Sequence, residues 1–366
     1  MKVLLVRLRL IGDVVFTTPV IRALRRQYPG AHLTYVVEPL AEPVVRGNPH
    51  LNDVLVVPLR PGVARVRDDI AFARRLRRER FDIAIDLHGG PRSAWFTWAS
   101  GAATRIGYTT RGRTWMYTHA VPRPADLGPT HSVLKQWQLL APLGIDACEP
   151  ARDAVEMVDD RAAAARLERR LADAGIAPAS PLIVLHVSAG NPFRRWPADS
   201  FATLIVEIAR RDPSRRFMVT SGPSDVDAAR AIGEQARRRL GPGDASIVHG
   251  QFDVGELRAL ASRAAVYIGG DSGPLHIAAT THTPVVALFG PTLPERSMPW
   301  RDPRWFAEAV DAGPLPCRPC RQHTCEPGDF RCLTRITPEQ VAEAAERALR
   351  SGSASGASPV GLARRA

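Results

Sequence analysis

A run of small and polar residues, Gly269-Gly270-Asp271-Ser272-Gly273-Pro274-Leu275-His276, follows a short apolar stretch and precedes a helix-like segment over 275–279. Glycines at a strand-to-helix turn leave backbone N–H groups free to face a phosphate. A similar junction comes soon after, where the apolar run 284–289 closes on Gly290-Pro291-Thr292. Together they suit a phosphorylated ligand at the carboxyl ends of parallel strands, although turns without a ligand share this spacing. Asp271 could accept from ligand hydroxyls or cap its helix. His276 could donate to a phosphate or pack as a core histidine.

Two further segments carry chemistry. His186-Val187-Ser188-Ala189-Gly190-Asn191 leaves a strand through small residues and is followed by Arg194-Arg195-Trp196-Pro197. Small donors beside arginines are what a diphosphate requires; Trp196 reads as an anchor holding this loop to the core. Near the amino terminus, Arg7-Leu8-Arg9-Leu10-Ile11-Gly12-Asp13 places a glycine and a carboxylate directly after the first strand. Asp13 is either a general base for a hydroxyl proton or a helix cap. Gly89-Gly90-Pro91-Arg92-Ser93 follows another strand and could line an acceptor pocket.

Four of the five cysteines, Cys317, Cys320, Cys325 and Cys332, fall close together. Their first gap suits a tetrahedral metal such as zinc, but the later gaps match no standard knuckle, and reduced thiols packed in a loop are the other reading. Asp225-Val226-Asp227 looks like a helix start rather than a Mg²⁺ site. Neither a GxGxxG fingerprint after the first strand nor a Walker sequence occurs, which argues against dehydrogenase and P-loop chemistry.

The elements that must position these residues alternate strand with helix, as in a parallel sheet covered by helices. With 366 residues the chain exceeds one core, and two domains follow, 1–176 and 182–336, joined through Ala177-Pro178-Ala179-Ser180-Pro181. A last helix over 337–350 opens with capping-box spacing between Thr337 and Gln340, and the Ser/Gly/Ala-rich tail 351–366 reads as disordered. Residues 60–67 and 109–129 read as long basic loops of the binding kind. The formal charge is +12, and Lys2 and Lys135 are the only lysines among 49 basic residues. Such a chain favours anionic partners, but its arginines are scattered along helix faces, so nucleic acid is not an expected partner. Residues 1–7 read as a first strand too soon interrupted by charge for a signal peptide, and no apolar run is long enough to span a bilayer. A cytoplasmic protein is expected, with peripheral membrane contact compatible.

Taken in order, Arg7…Gly12-Asp13 with Thr17-Thr18-Pro19, Arg194-Arg195-Trp196-Pro197, Gly270-Asp271-Ser272-Gly273-Pro274-Leu275-His276 and Phe289-Gly290-Pro291-Thr292 resemble the bacterial lipopolysaccharide heptosyltransferases, glycosyltransferase family 9. The cysteine-rich segment resembles that of the heptosyltransferase II branch. The resemblance implies a GT-B fold, two Rossmann-like domains facing across a cleft, with the final helix returning to the first domain. It implies a metal-independent, inverting enzyme without cofactor, moving a heptose from ADP-heptose to an anionic, lipid-linked inner-core acceptor at the cytoplasmic face of the inner membrane. Asp13 would be the base; Ser188, Ala189, Arg194, Asp271, Ser272, Gly273 and His276 would hold the donor; Arg9, Gly12, Thr17 and Arg92 would meet the acceptor. Arg194 stands where this family commonly has lysine, which keeps the charge and changes the donor geometry. A transferase for another nucleotide sugar, or a non-catalytic nucleotide-sugar or polyanion-binding protein, are the alternatives.

Overall fold

The computed structural model describes residues 1–354 other than 126 and 242–245. The chain forms two α/β units, one of Met1–Asp160 with Leu293–Pro303, the other of Arg161–Thr292 with the residues from Arg304 onward. The first holds β1 (Lys2–Val6), β2 (His32–Val37), β3 (Asp53–Val56), β4 (Ile83–Asp86), β5 (Thr104–Tyr108) and β6 (His119–Val121). The second holds β7 (Leu182–His186), β8 (Arg216–Thr220), β9 (Ile247–Gly250), β10 (Val266–Gly270), β11 (Val285–Phe289) and β12 (Ala307–Asp311). All ladders are parallel. The strand orders are β3-β2-β1-β4-β5-β6 and β12-β11-β10-β7-β8-β9. Read from the opposite edge, the second order repeats the first, and both are Rossmann orders with a switch point beside the first strand of the unit. This is the GT-B pair of domains.

The central strands form because their residues are apolar on both faces. Val3 to Val6 and Val285 to Phe289 are almost wholly buried, as a parallel sheet sandwiched between helix layers demands. The capping box at the last helix forms as spaced: Thr337 N donates to Gln340 Oε1 at 3.0 Å, and Gln340 N donates to Thr337 Oγ1 at 3.3 Å.

The division between units departs from the expected one at both ends. Helix Arg161–Asp173 belongs to the second unit. There Arg166 and Arg170 pair with Glu256, and Arg170 lies 4.1 Å over the Phe252 ring. Its buried stripe, Ala163, Leu167 and Leu171, is what commits it there; the Pro/Ala-rich stretch 177–181 is only a loop inside that unit. Helix Pro338–Ala354 does not return to the first unit. Val341, Ala342, Ala344, Ala345 and Ala348 join the core of Phe201, Ile205 and Ile208, and Glu343 and Glu346 pair with Arg211 and Arg215. An alanine face lets this helix approach closely, and the flanking ion pairs set its position. Helix therefore continues through 351–354, and the rest of the tail lies outside the described residues. Instead it is 293–303 that joins the first unit, where Trp300 Nε1 donates to Asp153 O at 2.9 Å and Val155 N donates to Trp300 O at 3.1 Å.

Candidate active site

In the first unit the chain leaves β1 at Arg7 and turns into the short helix Ile11–Val15. Asp13 sits in its first turn but does not cap it; no side chain caps this helix. The carboxylate faces Arg7, with Nη2–Oδ2 at 2.5 Å, and keeps 36% of its surface open to solvent. Arg7 is fixed in turn by Nη1 donating to Leu87 O at 2.7 Å. Asp13 is therefore a held, accessible carboxylate at the carboxyl end of the sheet, a geometry suited to accepting a proton.

The expected acceptor residues divide. Arg9 is exposed on the same loop, and Gly12 is buried beneath it. Thr17 faces inward: it is fully buried, Oγ1 donates to Val14 O at 2.6 Å and lies 2.7 Å from Tyr35 Oη. Thr17 stands just before helix Thr18–Gln27, and its hydroxyl supports that turn. Arg92 is also committed. Its Nε and Nη2 bond to Asp69, Nη1 to Glu38 at 2.9 Å and Nη2 also to Pro58 O at 3.0 Å. It clamps helix Pro91–Ala99 to helix Val63–Glu79, with most of its donors used inside the unit.

Two polar residues at the end of β4 were not anticipated. Asp86, buried at the end of β4, accepts from His88 N and Gly89 N at 2.9 and 2.8 Å and from Tyr117 Oη at 2.6 Å. Burial pushes its carboxyl up against these bonds. His88 follows, pushed down to about 4 by burial and by the positive charges of Arg7 and Arg9. Its position one turn past a strand end, before Gly89-Gly90, was the available signal. A Cβ at Gly90 would meet His88 Cδ2 at 2.8 Å, so a larger residue there would displace the imidazole.

In the second unit, β7 ends at His186, whose Nδ1 lies 2.9 Å from Thr220 Oγ1 and Nε2 3.2 Å from Ser188 Oγ. Thr220 Oγ1 donates to Leu185 O, and Gly222 N donates to Ser188 Oγ at 2.7 Å. Burial holds the imidazole neutral, pushed down to about 4, so the network places its proton on Nδ1 and has Ser188 donate to Nε2. The Ser188 hydroxyl thus ties two loops together and its proton is already used. Ala189 is buried beside it, and its carbonyl accepts from Arg195 Nε at 3.1 Å.

This imidazole makes stability pH-dependent. Its folded value lies below the ordinary 6.5, so the unfolded chain binds the proton first. Stability is full above about pH 6.5 and is lost as pH falls toward 4, by about 3 kcal/mol from this group at the lower end. Urea unfolding across that range is expected to show the loss, and His186→Gln to flatten it; an unchanged slope would refute the assignment.

Arg194 closes the turn Pro192–Arg194 and reaches Asp271, Nη1 to Oδ2 at 3.1 Å, while Nε donates to Gln322 Oε1 at 2.7 Å. Its Nη2 has no hydrogen-bond partner among the described residues. Asp271 is buried, accepts from Thr292 Oγ1 at 2.8 Å, and lies 3.5 Å from His276 Nε2. Burial alone would raise this carboxyl, but His276, Arg194 and Thr292 together hold it at about 2. Asp271 therefore organises the turn instead of capping helix Gly273–Ala278. Ser272 Oγ is buried without a hydrogen-bond partner, and Gly270 allows the close pass of the Arg194 carbonyl, 3.1 Å from where a Cβ would stand. The result brings Arg194, Asp271, Ser272, Gly273 and His276 to one turn. It adds Thr292 and Gln322, whose only sequence signals were a strand-end turn and a cysteine-rich segment.

Trp196 is the core anchor expected, buried, with Nε1 donating to Ile336 O at 3.0 Å. Asp225 pairs with Arg195 at 2.8 Å while Asp227 faces solvent, so they do not form a cation site. The four clustered cysteines are reduced and half-buried. Burial, and then the other three thiols, push Cys332 up to about 11. Among the described residues no three His, Cys, Asp or Glu side chains are grouped to hold a metal ion.

The profile of glycosyltransferase family 9 (heptosyltransferase) matches residues 70–329. The lipopolysaccharide heptosyltransferase 3 of Escherichia coli is 27% identical over 318 residues, covering 85% of this chain and 90% of that protein. Among solved structures, a family 9 glycosyltransferase from Veillonella parvula superposes with a TM-score of 0.81 at 24% identity, covering 95% of this chain and 97% of the other. The ADP-heptose lipopolysaccharide heptosyltransferase II of E. coli does so with a TM-score of 0.74 at 18% identity, covering 96% and 100%. With the profile spanning well over half of the sequence, and the fold agreeing, the chain belongs to glycosyltransferase family 9.

Proposed function

We propose that this glycosyltransferase moves a heptose from ADP-heptose, with inversion and without a metal, to an inner-core acceptor of lipopolysaccharide. The observation that carries the reading is the Arg7-held carboxylate of Asp13, accessible at a strand end, in a chain whose other unit gathers a charged glycine turn. The acceptor hydroxyl oxygen attacks the anomeric carbon, the bond from that carbon to the diphosphate breaks, and ADP departs with the electron pair. Asp13 takes the hydroxyl proton. Charge growing on the β-phosphate is met by Arg194 Nη2, the Ser272 hydroxyl and the N–H groups at 272 and 273. The likeness to heptosyltransferases supports the donor, and the cysteine-rich segment supports the heptosyltransferase II branch. A lipid-linked acceptor supports work at the cytoplasmic face of the inner membrane.

The test is a donor screen with ADP-, UDP- and GDP-sugars against truncated lipid A–core acceptors. Transfer from ADP-heptose alone is expected. Transfer from a UDP- or GDP-sugar in its place would replace the donor, and binding of nucleotide sugars without any transfer would make the chain a binding protein.

A further inference from the structure

Helix Val63–Glu79 absorbs most of the segment 60–67 that reads as a loop. Its buried side is Phe72, Ala73 and Leu76. Toward the start of the helix the same apolar stripe runs on through Val63, Val66 and Ile70, which stand 86%, 59% and 40% exposed. The acidic residues of its first turns are already paired, Asp68 with Arg60 and Asp69 with Arg92. Arg65, Arg67, Arg74, Arg75 and Arg78 are exposed and form no salt bridge among the described residues. An apolar stripe flanked by unpaired arginines is the pattern of a helix lying in a lipid headgroup layer.

The adjoining surface is of the same kind. Leu10, Leu40 and Leu59 follow β1, β2 and β3, neighbours in one parallel sheet, so their loops share one rim with the start of this helix. All three leucines are exposed, Leu40 at 75%, and Arg9 stands among them. Exposed apolar side chains gathered on one rim call for a partner, and the arginines specify an anionic one.

We infer that the rim Leu10–Leu40–Leu59 and the Val63–Val66–Ile70 face of the following helix form a docking surface for an anionic phospholipid bilayer. The apolar side chains enter the headgroup boundary and Arg65 and Arg67 meet lipid phosphates. This extends the lipid-linked acceptor reading given above, since an enzyme held at the bilayer meets such an acceptor where it resides.

The full chain is sedimented with vesicles of phosphatidylethanolamine and phosphatidylglycerol, and with vesicles of phosphatidylcholine alone. Binding to the first and not the second is expected, weakening with salt. The triple variant Val63→Asp, Val66→Asp, Ile70→Asp, whose positions are solvent-facing, is expected to lose at least about tenfold in bound fraction, with unchanged circular dichroism. Arg65→Glu with Arg67→Glu is expected to act in the same direction. Triple-variant binding equal to the parent, or equal parent binding to both vesicle types, overturns the proposal. So does a parent dimer that the triple variant dissolves, since the face would then join two copies. Calorimetry with ADP-heptose separates the two readings: vesicle binding without donor binding keeps this surface and removes the heptosyltransferase assignment, whereas heptose transfer without vesicle binding does the reverse.

Discussion

Asp13→Asn is expected to lower kcat by roughly 10²–10⁴-fold, the usual weight of a positioned proton acceptor, while leaving donor affinity unchanged. The substitution is nearly isosteric. The amide oxygen can still accept from Arg7 Nη2, now 2.5 Å from the carboxylate, so the loop after β1 should keep its course. What disappears is the basic oxygen. The donor turn belongs to the other unit, around Arg194 and Asp271, so the ADP-heptose Kd should be that of the parent. Single-turnover kinetics beside calorimetry make the check: a rate within about twofold of the parent would remove Asp13 from the chemistry, and an equal loss of affinity would make its role one of binding.

Arg194→Ala is expected to weaken ADP-heptose binding by about 1.5–3 kcal/mol, the range for hydrogen bonds to charged groups, which is roughly 10- to 150-fold in Kd. The side chain has two tasks. Nε and Nη1 are spent on Gln322 and Asp271, and Nη2 is left for a phosphate. Removing it also strips a cation from a buried carboxylate, so Asp271 should titrate above its present value of about 2, with the turn loosened. Arg194→Lys separates the tasks, because one ammonium can neutralise Asp271 or meet phosphate but cannot reproduce the fork. Its Kd should fall between those of the parent and the alanine variant. Calorimetry giving the alanine variant the parent's affinity would refute the role.

How much of this was legible from the residues follows their surroundings. The inner strands were plain, because a strand covered on both faces must be a continuous apolar run, as in Val3 to Val6 and Val285 to Phe289. The edge strands His119–Val121 and Ala307–Asp311 were not, since an edge needs few apolar side chains. The charged glycine turn at 270 and the carboxylate at 13 were visible because their chemistry is local. Thr17 and Arg92 show the opposite case: Tyr35, Glu38 and Asp69 lie far along the chain from them, and only folding shows these partners. Gln322 was hidden in the same way, being 128 residues from the Arg194 it supports. The final helix was legible as a helix, caps included, but its docking was not. An alanine-lined face fits more than one host.

Both halves of the molecule are discontinuous, and this sets when each can close during synthesis. The first borrows Leu293–Pro303 and the second borrows the helix Pro338–Ala354. A ribosome that has released the first 160 residues has therefore made a sheet still lacking Trp300 against Asp153. In the second, Phe201 and Ile205 of helix Ala198–Arg211 lack part of their packing until the alanine face of the last helix arrives. Amino-terminal domains commonly finish folding while the remainder is being translated. Here neither lobe completes early, and a premature stop before Pro338 leaves an open core that quality control would destroy rather than a usable half-enzyme.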